Sequence, residues 1–97
     1  MKILYVDMDN VLVDFAAAFP KVPDVILQEY EGRLDEVPGI FSLMDPMPGA
    51  IEAFSRLSKE YDTYILSTAP WENSSARSDK LKWVKKYLGK HVCKKLI

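Results

Sequence analysis

The sequence predicts a parallel α/β fold, and two observations predict it. Short apolar runs rich in β-formers alternate with amphipathic stretches, and acids or hydroxyls stand where those runs end. Strand, helix, strand, helix, strand is the order that right-handed crossovers close into one parallel sheet. At 97 residues the chain has room for one domain. A domain of this size buries roughly two thirds of its unfolded surface, so its core is thin.

Lys2 to Val6 reads as a buried parallel strand. Val11 to Phe19 is helix-compatible and stops at Pro20. Asp24 to Glu31 is a second helical stretch, opened by Pro23 and closed by Gly32. Arg33 to Gly49 holds several prolines and glycines and reads as loop or short turns. Ala50 to Glu60 places Ile51, Phe54 and Leu57 on one stripe of a helix. Tyr61 to Ser67 is a second buried strand, followed by a polar loop, Thr68 to Ser75. Ala76 to Leu88 is a helix with Leu81, Val84 and Leu88 inward and Gly89 as its stop. Leu96-Ile97 is a third strand just beginning. The predicted core is residues 1–10 and 48–97, and about 11–47 forms a small helical cap inserted after the first strand.

Composition narrows the function classes. The formal net charge is −1, with 28% charged and 48% hydrophobic residues. No apolar run approaches the roughly 18 residues of a membrane span. The apolar start ends at Asp7 after four residues, so it reads as a strand and not as an export signal. Cys93 is the only cysteine, which excludes an internal disulfide and a cysteine-rich zinc site. A cytoplasmic location is the default expectation. From Arg77 onward eight basic residues face one acid, Asp79. A nucleic-acid surface is one reading of that run. A solvated helix face whose late lysines complement the helix dipole is the other, and the apolar stripe between them favours it.

The segment richest in chemistry is Asp7-Met8-Asp9-Asn10-Val11, directly after the first strand. Ligands of open parallel sheets bind beyond the carboxyl ends of strands. Two carboxylates two residues apart on a turning backbone repel each other unless a cation neutralises them, and Mg²⁺ suits so few oxygen ligands. A carboxylate so placed is able to attack phosphorus, and its neighbour to protonate the leaving alkoxide. Read without its surroundings, Asp9-Asn10 is an ordinary turn.

With its flanking Val11-Leu12-Val13, the segment resembles the first motif of the haloacid dehalogenase (HAD) superfamily phosphatases. Thr68, in Leu66-Ser67-Thr68-Ala69-Pro70, aligns with that superfamily's second motif, and Ser67 adjoins it. The resemblance implies a three-layer Rossmann-like core of which about three strands are present. It implies Asp7 as nucleophile, Asp9 as acid/base, and Mg²⁺ held by Asp7 and the Asp9 backbone carbonyl. Asn10 stands where the family carries glycine, which a positive φ accommodates. Ser67, Thr68, Asn10 and Lys80 are the expected phosphate-binding set; for Lys80 a solvated lysine is the alternative.

Longer matches narrow the resemblance to the 5'(3')-deoxyribonucleotidases, cytosolic type. They are Val11-Leu12-Val13-Asp14-Phe15, Pro38-Gly39-Ile40-Phe41, Met47-Pro48-Gly49-Ala50 and Ser78 to Gly89. Phe15, Phe41 and Trp71 are then the expected nucleoside pocket; for the two phenylalanines cap core is the alternative, and for Trp71 a shield over the loop. The family continues to a further lysine and an acidic pair on a fourth strand beside the first. No acid follows Asp79, and Lys90, Lys94 and Lys95 precede the last strand. The expected protein is therefore a truncated relative, with its first strand left as an exposed edge and a homodimer through that edge as one consequence. Two functions stand beside each other: a Mg²⁺-dependent phosphatase of deoxyribonucleoside monophosphates, and an incompetent fragment that binds phosphate or Mg²⁺ or only folds. A basic nucleic-acid module is a minor third.

Overall fold

The computed structural model describes all 97 residues. Its central sheet is parallel. Strand β1 (Ile3–Asp7) pairs in register with β4 (Asp62–Leu66), Ile3 opposite Asp62 and Asp7 opposite Leu66. Beyond β4 the chain's last residues add a single bridge, Leu96 to Ile65. The Ile97 amide donates to the Ile65 carbonyl at 2.8 Å, and the Ser67 amide to that of Ile97 at 3.0 Å. The third strand is thus present only as this bridge, because Lys90–Lys95 closes into a 3-10 helix after Gly89.

Between β1 and β4 the chain builds β2 (Val13–Asp14), α1 (Asp24–Glu29), β3 (Asp45–Pro46) and α2 (Ala50–Glu60). The helix read over Val11 to Phe19 does not form. Val13-Asp14 instead pairs antiparallel with Asp45-Pro46, and Phe15–Lys21 winds as a 3-10 helix through Pro20. Helix α3 (Ala76–Tyr87) follows the polar loop after β4.

One hydrophobic cluster joins the insertion to the sheet. Leu12, Val13, Ala18, Val37, Ile40, Phe41 and Met44 from the insertion pack in the same core as Met8, Phe54, Ile65, Trp83 and Val84. Trp83 bolts the two parts together: it is 2% exposed, and its indole N–H donates to the Met44 carbonyl at 2.8 Å.

Two burial expectations need correction. Leu81 is 43% exposed. Val84 is buried and Leu88 packs against the core as expected, but the rest of the inward stripe of α3 is Ala76, Asp79, Lys80 and Trp83, because the large Trp83 sets which face turns in. Strand β1 is not buried: Ile3 and Tyr5 are 57% and 56% exposed, since no element covers their face of the sheet.

At the far end of that face Lys95 Nζ bonds Asp62 Oδ1 at 2.5 Å and lies 4.4 Å from the Tyr64 ring centroid. The Lys95 hydrogen bond holds the Asp62 carboxyl below its ordinary 3.8, and the same bond raises the Lys95 ammonium above 10.5. A lowered acid stabilises the fold above its ordinary range, and that contribution is lost as pH falls through the lowered value. A raised base stabilises below its ordinary value, lost as pH rises through the raised one. The pair is therefore intact across neutral pH. An NMR titration is expected to put the Asp62 midpoint below 3.8 and to return it toward 3.8 in Lys95→Met. An unchanged midpoint in that variant refutes the pairing.

Candidate active site

The site forms where the two parallel strands end. Asp7 is the last residue of β1, and Met8 continues the ladder by donating to the Leu66 carbonyl at 2.9 Å. The chain then turns sharply. The Met8 carbonyl accepts from Leu12 and Val13 at 2.9 and 3.1 Å, and Asn10 takes φ 59°, the left-handed conformation expected at the glycine-like position. Met8 is fully buried beneath this turn and anchors it, so the residues on either side of it lift out toward the strand ends.

From β4 come Ser67 and Thr68. An open cleft of about 590 Å³ is lined by Asp7, Asp9, Ser67 and Thr68, with Leu66 and Ile97. The carboxylates and hydroxyls expected to work together therefore share one cleft at the carboxyl edge of the sheet. Asp7 is exposed there. Asp9 is divided: its side chain is 40% exposed, yet its Oδ1 is buried without a hydrogen-bond partner. An unpartnered buried oxygen of this kind costs about 1–3 kcal/mol and calls for an explanation.

The third component arrives from α3. Lys80 is 3% exposed, and its Nζ reaches Ser67 Oγ at 2.7 Å, the Thr68 carbonyl at 2.5 Å and Asp9 Oδ2 at 3.2 Å. The ammonium also lies 4.5 Å from the centroid of the Phe41 ring. Phe41 is buried and stacks on Phe15 at 5.4 Å, so the insertion roofs the lysine with an aromatic face. Desolvating an ammonium costs several kcal/mol, and these contacts offset that cost. A second cavity of about 140 Å³ is walled by Lys80 itself, with Ser67, Thr68, Arg77 and Ile97.

The remaining expected residues are placed as follows. Asn10 is exposed at the turn. Phe15 and Phe41 form the roof and do not line the cleft of Asp7 and Asp9. Trp71 is fully exposed and stands apart from that cleft.

A buried polar network escaped the sequence reading. Asn73, 5% exposed, donates through Nδ2 to the Asp35 and Val37 carbonyls at 2.9 and 3.0 Å. Ser75 Oγ bonds Asp79 Oδ2 at 2.9 Å and accepts from the Gly39 amide at 3.1 Å. These bonds tie the loop before α3 to the insertion just ahead of Phe41, and so fix the roof over Lys80. The only sequence signal was the i, i+4 spacing of Ser75 and Asp79 at the helix start.

A Mg²⁺ ion was expected on Asp7 and Asp9. No three His, Cys, Asp or Glu side chains converge anywhere in the molecule. The Asp7 carboxylate and the Asp9 backbone carbonyl, beside the unpartnered Asp9 Oδ1, still fit the octahedral, partly hydrated ion, which is commonly held by one or two carboxylates plus a substrate phosphate.

Carboxylates, hydroxyls and a buried lysine at the carboxyl ends of parallel strands define an α/β protein with a charged ligand crevice at its sheet edge. Comparison with known proteins finds relatives. Over 98% of its length the chain is 55% identical to a protein of Vibrio phage KVP40 described as a 5'(3')-deoxyribonucleotidase. It is 29% identical over 95% of its length to the human 5'(3')-deoxyribonucleotidase, cytosolic type, and 28% identical over 98% to a Bordetella bronchiseptica protein described in the same way. No family model matches. The chain is a homologue of the 5'(3')-deoxyribonucleotidases. It spans 56%, 60% and 64% of these three relatives' lengths. No helix is long and apolar enough to cross a membrane.

Proposed function

We propose that the cleft is a phosphomonoesterase site of deoxyribonucleotidase type, acting on deoxyribonucleoside monophosphates. The observation that carries this reading is the meeting of Asp7, Asp9, Ser67 and Thr68 in one cleft, with the buried Lys80 cation bonded to three of those four residues. Asp7, the exposed carboxylate, attacks phosphorus; the ester P–O bond breaks and Asp9 gives its proton to the departing alkoxide. Water then attacks the aspartyl-phosphate while Asp9 takes a proton back, and inorganic phosphate leaves. The Ser67 and Thr68 hydroxyls and the Lys80 ammonium hold the phosphoryl oxygens and balance their charge. Mg²⁺, held by Asp7 and Asp9, would neutralise the carboxylates against the incoming phosphate. A cytoplasmic location accompanies this reading.

The second reading is binding without turnover. It is favoured by the two-carboxylate donor set, Asp7 and Asp9, beside which no third acid, His or Cys converges. Hydrolysis of deoxyribonucleoside monophosphates with and without Mg²⁺, beside Asp7→Asn, separates the two. The first reading expects Mg²⁺-dependent turnover that falls at least about 10³-fold in the variant, as nucleophile removal does. Phosphate binding seen by ³¹P NMR with no turnover selects the second. Equal activity in both proteins, or neither activity nor binding, overturns the site.

A further inference from the structure

The lysines of α3 and of the segment after it converge on a groove that the cleft of Asp7 and Asp9 does not use. Helix α3 ends at Tyr87, Gly89 takes φ 106°, and Lys90–Lys95 folds back as a 3-10 helix. Glycine suits that turn, because a Cβ there would stand 2.9 Å from the His91 ring. The returning segment lies against the helix it left. Val92 is buried in the core, and Cys93 Sγ comes within 3.9 Å of the Leu81 carbonyl. Between these two walls runs an open groove of about 850 Å³. Lys82 and Lys85 line it from α3, and Lys90, His91 and Lys94 line it from the returning segment. It shares no residue with the cleft.

The charge of the groove is uncompensated. No carboxylate lines it. Lys21, Arg33, Lys80 and Lys95 each pair with an acid, whereas Lys82, Lys85, Lys90 and Lys94 pair with none. Residues 80–97 hold seven lysines and no acid, in a chain whose formal net charge is −1. The helix dipole accounts for Lys85, in the last turn of α3. It does not account for Lys82 in mid-helix, nor for Lys90, which stands at the start of the 3-10 helix where the dipole opposes a cation. Like charges gathered in a concavity focus their field on whatever anion enters it.

The geometry points to this groove as a binding site for a small oligophosphate, an anion of several linked phosphates such as the chain of a nucleoside triphosphate. Its volume falls within the roughly 300–1,000 Å³ common to small-molecule sites. A single phosphate carries about −2 and leaves half of the four lysine charges unanswered. A linked chain carries more charge and extends from one wall toward the other. Lysines suit it, as point charges on flexible stems that demand no one fixed phosphate geometry. No aromatic residue lines the groove, so the phosphates and not a base are what it reads. Single-stranded nucleic acid fits less well for the same reason, since its grooves carry aromatic platforms for stacked bases.

The test titrates the full chain with inorganic tripolyphosphate, followed by calorimetry and by backbone amide shifts in NMR. The amides of Lys82, Lys85, Lys90 and Lys94 are expected to shift, with binding at least about tenfold tighter than that of inorganic phosphate, as one added charged contact gives. Lys85→Gln combined with Lys90→Gln alters exposed side chains and should leave the circular dichroism unchanged. That variant is expected to weaken tripolyphosphate binding at least about tenfold. Lys80→Met, aimed at the cleft, is expected to leave it unchanged. A nucleoside triphosphate is expected to bind as tightly as tripolyphosphate and to shift the same amides. Equal affinity for phosphate and tripolyphosphate overturns the proposal. So does a duplex oligonucleotide that binds where tripolyphosphate does not, which makes the groove a nucleic-acid surface. Shifts confined to Ser67 and Thr68 put the anion in the cleft and also overturn it, while leaving the phosphatase reading in place.

Discussion

Lys80→Met is expected to weaken inorganic phosphate binding at least about tenfold and to lower any phosphatase turnover by about 10²–10³-fold, the usual loss when one charge-stabilising group is removed. The same variant is expected to lose about 1–3 kcal/mol of stability, because Met leaves the Thr68 carbonyl without its donor. Asp9, left without its cation, is 40% exposed and finds water, which limits the loss. Whether Lys80 serves the ligand or only the fold is read from binding and stability together. Phosphate titration by ³¹P NMR and urea unfolding on one preparation decide it. A variant that binds phosphate normally but unfolds more easily makes Lys80 a structural lysine.

Lys80 also shows what was legible in the sequence and what was not. Apolar runs bounded by acids gave both strands of the central sheet, and periodicity gave α2 over Ala50–Glu60 and α3 over Ala76–Tyr87. The Asp-x-Asp turn and the Ser67-Thr68 strand end were placed together because parallel strands deliver their carboxyl ends to one side of a sheet. On α3 Val84 and Leu88 turned in as read, but Leu81 did not. Leu81, Val84 and Leu88 make a plausible apolar stripe, and a lysine inside the stripe runs against composition. The actual inward face is set by Trp83 and carries Lys80 with it, paired to groups 12, 13 and 71 residues away. The insertion failed for a related reason. Val13-Asp14 becomes a strand only by meeting Asp45-Pro46, a long-range pairing that no local pattern encodes. Asn73 was invisible because an asparagine in a polar loop reads as a turn residue, whereas here it satisfies two buried carbonyls of another segment.

Trp83→Ala is expected to cost about 3–5 kcal/mol, which is large against the roughly 5–15 kcal/mol total of a domain. The indole is 2% exposed, stacks at a tilt on Tyr87 with centroids 4.7 Å apart, and spans from α3 to the insertion. Trp83→Phe divides the effect. It keeps most of the apolar volume but removes the N–H, leaving the Met44 carbonyl without its donor at a cost of about 1–3 kcal/mol. Met44 lies three residues beyond Phe41, so its release loosens the roof over Lys80 before the sheet opens. In Trp83→Phe, urea unfolding is therefore expected to show an intermediate loss, and the Lys80 ammonium resonance to shift as the ring above it moves. A Phe variant as unstable as the Ala variant would place the whole effect in the hydrogen bond, and one as stable as the parent would place it in volume alone. Either result removes Trp83 as the link between the stability of the insertion and the geometry of the site.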